Sequence, residues 1–209
     1  MNQSSPRILL NQRTLEEGVT YLIKEDPDLA KIVDDLGIPP LWSRKPGFST
    51  LIHIILEQQV SLASAKAAFL KLEKAAGKLT PERYLSFSDS ELRGFGFSKQ
   101  KTKYGRELSK AILNNELNLE VLGSLDDASV RQQLTQINGI GQWTANIYLL
   151  MALRRPDIWP TGDLALAKAA KRVKKLSKRP TSEQLAEIAE QWKPWRAVAA
   201  RILWHYYLS

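Results

Sequence analysis

The 209 residues include no cysteine and only two histidines, His53 and His205, which excludes disulfides, thiolate nucleophiles, Cys-ligated zinc and iron–sulfur clusters and makes a histidine-rich metal site untenable. With 44% hydrophobic residues the chain can fill a core, yet no run approaches the roughly 20 apolar residues of a membrane span, and Met1 to Arg7 lack the apolar stretch of a signal peptide. The expectation is a soluble, cytoplasmic protein with no membrane partner, whose formal net charge of +8 favours a polyanion.

Residues 1–13 are polar and aperiodic and read as a loose lead-in, with a first helix starting near Leu15. Over 48–72 apolar residues recur at Leu51, Ile52, Ile55, Leu56, Val60, Ala63, Ala67 and Leu70, the spacing of a helix with one buried face. The pattern returns at 81–92, 101–113, 129–137, 143–153, 164–176, 182–192 and 195–207, separated by short Gly- or Pro-bearing connections. Pro180 followed by Thr181 and, three residues on, Gln184 predicts a stop and then a capping box. No strand-length alternation appears, so the predicted class is all-α, and the length suits one full-sized domain or two small lobes sharing a cleft.

The most informative stretch runs from Leu134 through Asn138-Gly139-Ile140-Gly141 to Gln142-Trp143-Thr144 and Tyr148, where one helix ends at a Gly-Ile-Gly turn and another begins at once. Two glycines leave backbone N–H groups uncovered, and Ile140 can plug the junction between the helices. Donors at the start of the second helix suit a DNA phosphate without any basic side chain. Taken alone, a Gly-x-Gly turn is ordinarily a helical hairpin with a glycine C-cap.

The combination with Trp159-Pro160-Thr161-Gly162-Asp163-Leu164, one helix downstream, resembles the helix–hairpin–helix DNA glycosylase superfamily, with the motif at about 130–153. Gly-Gln-Trp-Thr-Ala-Asn at 141–146 is similar to the 3-methyladenine DNA glycosylase II branch. The likeness extends to Asp26-Pro27-Asp28-Leu29-Ala30, to Glu57-Gln58-Gln59-Val60-Ser61 and to Trp192-Lys193-Pro194-Trp195-Arg196, so it covers nearly the whole chain. Some members carry an additional N-terminal β domain, and the short segment before Phe48 leaves no room for it, so that domain is expected to be absent.

The resemblance implies a single all-α fold over 1–209 with two helical lobes flanking a cleft. It also implies a base-flipping enzyme that hydrolyses the N-glycosidic bond of alkylated purines in double-stranded DNA, with Asp163 as the catalytic carboxylate. A plain N-cap is the structural alternative for that residue. Trp143, placed where bifunctional relatives hold a lysine nucleophile, implies a monofunctional, water-using enzyme and offers an indole face to the extruded base; a core tryptophan is the alternative. Trp42 and Tyr148 are further candidate pocket walls. Gly139, Ile140, Gly141, Thr144, Lys168, Lys171 and Arg172 are candidate backbone contacts, the last three within a basic run that continues through Lys174, Lys175, Lys178 and Arg179. Gln58 or Gln59 would fill the hole left by the flipped nucleotide. Glu57 is expected to face solvent or cap a helix. The reading requires no cofactor and no catalytic metal, leaves place for a structural monovalent cation at the hairpin, and expects a monomer. Two other readings stay open: the same fold acting on hypoxanthine, uracil or mismatched bases, and a non-catalytic DNA-binding hairpin module.

Overall fold

A computed structural model describes residues 8–209. In chain order the helices are α1 (Gln12–Glu25), α2 (Pro27–Leu36), α3 (Phe48–Glu57), α4 (Leu62–Ala76), α5 (Pro81–Ser86), α6 (Asp89–Phe95), α7 (Lys99–Leu113), α8 (Asp127–Thr135), α9 (Gln142–Ile147), α10 (Leu164–Val173), α11 (Ser182–Glu190) and α12 (Arg196–Leu208), with a short 3-10 turn at Val121–Gly123 and a π-helical turn at Tyr148–Ala152. Among the described residues there is no strand, in agreement with the class the periodicity predicts, and no helix is long and apolar enough to cross a membrane. Of the predicted lead-in, residues 1–7 lie outside the described residues.

The chain divides into two compact units, one built from the N-terminal residues up to Ser43 together with Leu149–Ser209, the other from Arg44–Tyr148. In the second unit α3 packs against α4, α7 and α9, and all of its residues but Ser49, His53 and Glu57 are buried. The single helix expected over 48–72 is in fact two. Gln58 leaves the helical region, Gln59 takes a left-handed conformation at φ 57, and the Ser61 hydroxyl caps α4 by accepting the Ser64 N–H. The helix expected over 81–92 is also broken, because Ser88 and Glu91 form a capping box that starts α6 afresh.

In the first unit α12 is the central rod, buried continuously over residues 197–204 and packed against α1, α2, α10 and α11. Helix α1 begins earlier than expected, at Gln12, because Asn11 and Thr14 cap each other's backbone. Helix α2, whose periodicity is too short to stand out, is started by Pro27 at its first turn and by the Asp26 carboxylate, which accepts the N–H groups of Asp28 and Leu29. Asp26 is buried and also accepts the Lys174 ammonium at 2.7 Å through each oxygen and the buried Trp192 indole N–H at 2.7 Å. Burial opposes the charged carboxylate, but the hydrogen bonds from Lys174 and Trp192 outweigh it and hold its pKa below the usual range. The expected capping box at Thr181 and Gln184 is present.

Candidate functional site

The hairpin lies in the Arg44–Tyr148 unit. Helix α8 ends at Thr135, the Ile140 N–H returns to the Ile137 carbonyl at 3.0 Å, and α9 starts from Gly141, which has no side chain to cap it. Gly139 is held at φ 95, and a Cβ there would overlap the Tyr104 ring, whose hydroxyl is in turn engaged by the Gln100 amide. Only glycine fits that position. Ile140 is buried at the junction while Gly141 and Gln142 are exposed, and Arg131 Nε on α8 donates to Asn146 Oδ1 on α9 at 2.7 Å, binding the two arms together.

Trp143 is half-buried in the first turn of α9. Thr144 differs from its expected place at a phosphate: its side chain is 1% exposed, and its hydroxyl accepts the Gln58 amide at 2.9 Å. Tyr148, expected as a pocket wall, is 0% exposed and its hydroxyl accepts the Gly47 N–H at 3.0 Å, so it belongs to the core of its unit. The two wedge candidates separate. Gln58 donates to the Gly139 carbonyl and to Thr144, whereas Gln59 is exposed on its left-handed backbone with Val60 exposed beside it. Glu57 corrects another expectation, since it is neither solvent-facing nor a cap: its buried carboxylate takes Arg44 through both oxygens at 3.0 and 2.6 Å, with His53 Nε2 at 3.6 Å. His53 stacks on Phe69 with centroids 4.1 Å apart, and its desolvation lowers its pKa.

Asp163 and Trp42 belong to the other unit. A tight turn, with Asp163 N–H on the Pro160 carbonyl and Gly162 at φ 86, delivers Asp163 to the head of α10. The carboxylate is 9% exposed and its Oδ1 accepts the Leu166 N–H at 2.9 Å and the Trp204 indole N–H at 3.3 Å. Trp204 lies 41 residues on, inside the C-terminal stretch that the family likeness covers, and reads from the sequence as a core tryptophan; nothing local ties it to Asp163. Trp42, half-buried at φ 45, meets the His205 ring edge-on at 6.4 Å, and the carbonyl of Leu41 just before it accepts Arg201 Nε. Of the basic run, Lys168, Lys171, Arg172, Lys175, Lys178 and Arg179 are exposed, Lys168 lying 6.0 Å from the centroid of the Tyr207 ring. Lys174 is withdrawn into the ion pairs with Asp26 and, at 2.9 Å, Asp28. Among the described residues no cluster of three or more His, Asp or Glu could hold a metal ion.

A hairpin closed by an obligatory glycine and a buried carboxylate at the head of a later helix are the two marks of one class of protein. The family model described as HhH-GPD superfamily base excision DNA repair protein matches residues 52–194, and the chain belongs to that superfamily. Among relatives, DNA-3-methyladenine glycosylase 1 of Schizosaccharomyces pombe is 27% identical, with 90% of this chain and 89% of that protein covered. DNA-3-methyladenine glycosylase of Bacillus subtilis is 28% identical over 81% of this chain, and the chain spans only 58% of that protein and 64% of a second Bacillus subtilis relative. The solved structure of the S. pombe 3-methyladenine DNA glycosylase in complex with abasic DNA superposes with a TM-score of 0.85 at 27% identity, covering 90% of this chain and 95% of that one.

Proposed function

We propose that this protein is a monofunctional DNA N-glycosylase that extrudes alkylated purines of the 3-methyladenine and 7-methylguanine type from duplex DNA and hydrolyses their glycosidic bond. The observation that carries the reading is Asp163: a carboxylate 9% exposed, fixed by a backbone N–H and an indole N–H, in a chain of this superfamily. As the C1′–N bond breaks, its electron pair leaves with the base and the deoxyribose becomes a cation. The carboxylate stabilises that cation, water adds its oxygen to C1′, and Asp163 takes the proton the water releases. Alkylation at N3 or N7 makes the purine a cationic leaving group, so no second acid is needed, and an electron-poor base stacks favourably on an indole such as Trp143 or Trp42. With Trp143 in the place of a lysine no amine attacks the sugar, and the product is an abasic site.

Gln59, exposed and left-handed, is the side chain proposed to fill the vacated stack, while Gly139 and Gly141 present backbone N–H groups to a phosphate, Ile140, whose N–H is spent on the Ile137 carbonyl, plugs the turn between them, and Lys168, Lys171 and Arg172 add sequence-independent attraction. At the hairpin a cation would find backbone carbonyls and no carboxylate, and those of Ile137 and Gly139 each already accept one hydrogen bond; that donor set suits a structural monovalent ion and supplies no Lewis acid to the reaction. The protein is proposed to act as a monomer on DNA in the cytoplasm. Incubation with randomly methylated duplex and chromatography of the released bases tests the reading. Free 3-methyladenine and 7-methylguanine are expected, and a protein that binds the duplex but frees no base would be a hairpin module and not an enzyme.

A further inference from the structure

The segment between α3 and α4 is fixed from every side except its tip. Lys101 Nζ donates to the Leu56 carbonyl at 2.6 Å, Glu57 is clamped by Arg44, and Ser61 starts α4. Between these anchors Gln59 holds a left-handed backbone, a conformation that persists in a non-glycine residue only when its neighbours enforce it. The adjacent one, Gln58, reaches furthest along the chain. Its Nε2 lies 2.9 Å from the Gly139 carbonyl and 2.9 Å from Thr144 Oγ1, 81 and 86 residues away. A carbonyl only accepts, so the nitrogen of the amide must face it, and both N–H groups are spent on the hairpin. One grips the turn and the other the first turn of α9.

We propose that Gln58 is a positioning residue that joins the intruding tip of Gln59 to the phosphate-gripping hairpin, so that the two engage DNA as one rigid element. This rests on the glycosylase reading, with Gln59 as the intruder. A phosphate docked at the hairpin then fixes where the tip enters the stack, and register along the backbone is converted into the position of the flipped nucleotide. Without the tie, the tip relaxes out of its left-handed state and the hairpin loses the brace on its turn.

The test is a double-mutant cycle in the full chain with Gln58→Met, which keeps length and removes both donors, and Gln59→Ala, read by single-turnover release of 7-methylguanine from methylated duplex and by the salt dependence of binding to undamaged duplex. Gln58→Met is expected to slow release about tenfold or more, as a displaced positioning element does. Gln59→Ala should then cost at least about threefold less in that background than in the wild type. The slope of log affinity against log salt should fall by about one, because one phosphate contact is loosened. A residue that merely stabilised the fold would shift melting and leave that slope and the cycle additive. If Gln58→Met does not fold, Thr144→Val removes one acceptor from the opposite side and should reproduce the loss of slope. Equal costs of Gln59→Ala in both backgrounds, or an unchanged slope, would overturn the proposal. A wild-type protein that frees no base defeats the glycosylase reading instead, and the slope on undamaged duplex then decides the tie by itself.

Discussion

Replacing Asp163 by Asn exchanges one carboxylate oxygen for an amide and separates the structural duty of this side chain from the chemical one proposed for it. The structural duty is the cap on α10, an accepted hydrogen bond from Leu166 at 2.9 Å, and Asn caps a helix as well as Asp. Melting of Asp163→Asn should therefore stay within about 2 °C of the wild type. Asp163→Ala removes the cap, worth about 1 kcal/mol, and leaves the buried Trp204 N–H without its acceptor, worth about 1 kcal/mol more. At roughly 2–4 °C per kcal/mol for a chain of this size, its melting point should fall by about 4–8 °C. The chemical duty scales differently. A full charge facing a cation at contact distance contributes roughly 4 kcal/mol at an effective dielectric constant near 20, which corresponds to about 10³-fold in rate. Single-turnover release of methylated bases should thus fall on the order of a thousandfold in both variants, although only Ala unfolds early. An Asn variant that releases bases within about threefold of the wild type would leave Asp163 with structural duties alone.

Asp26→Ala strips a carboxylate from a buried ion pair and from the Trp192 N–H, and urea unfolding should show a loss of about 3 kcal/mol, moderated because Lys174 keeps Asp28; a loss under about 1 kcal/mol would contradict this. Because the folded-state pKa of Asp26 is depressed, its contribution is complete above the unfolded value of about 4 and disappears as pH falls through the lower folded value, so Asp26→Asn should flatten the acid side of the stability profile. Tyr84 has a buried hydroxyl with no hydrogen-bond partner among the described residues, and burial pushes its pKa up; Tyr84→Phe should be neutral or stabilising by about 1 kcal/mol in thermal melts. Replacing Lys171 and Arg172 together by Ala should lower the salt slope of DNA binding by about two, whereas Lys174→Ala should lower stability and leave the slope alone.

The helical class and most of the helix rhythm are legible because a 3.6-residue period survives in the sequence wherever one face is buried. What the period misses are the breaks. Residues 48–72 keep an apolar rhythm straight through Gln58–Ser61, yet a single left-handed residue and a serine cap divide the run, and 81–92 hides a capping box in the same way. Local signals at the hairpin, Gly139 above all, announce themselves because a positive φ beside an aromatic ring admits only glycine. Partnerships across long separations do not. From their place in the motif Thr144 reads as a phosphate contact and Tyr148 as a pocket wall, but their environment is set by Gln58 and Gly47, 86 and 101 residues away. Glu57 looks exposed until Arg44, 13 residues before it, folds over its carboxylate. Lys174 reads as one more charge in a basic run until Asp26, 148 residues before it, claims the ammonium.

The candidate side chains of the unit that carries Asp163 share one support. Arg201, Trp204 and His205 stand at i, i+3 and i+4 on α12, hence on one face of a buried helix. Trp204 donates to Asp163, and His205 meets the edge of Trp42. Arg201, fully buried, donates to the carbonyls of Leu41, Ala197 and Leu150 at 2.8–3.0 Å; burial lowers its pKa, and these three carbonyls take the place of a carboxylate. A cation satisfied in this way fixes backbone in two segments at once, the residue before Trp42 and the π-helical turn that contains Leu150. Hydrophobic packing alone would leave both free to slide, since dispersion contacts are non-directional. The hydrogen bonds from one helical face therefore fix the backbone beside Trp42 and the carboxylate of Asp163, and the chemistry proposed for those groups depends on placement more than on strength.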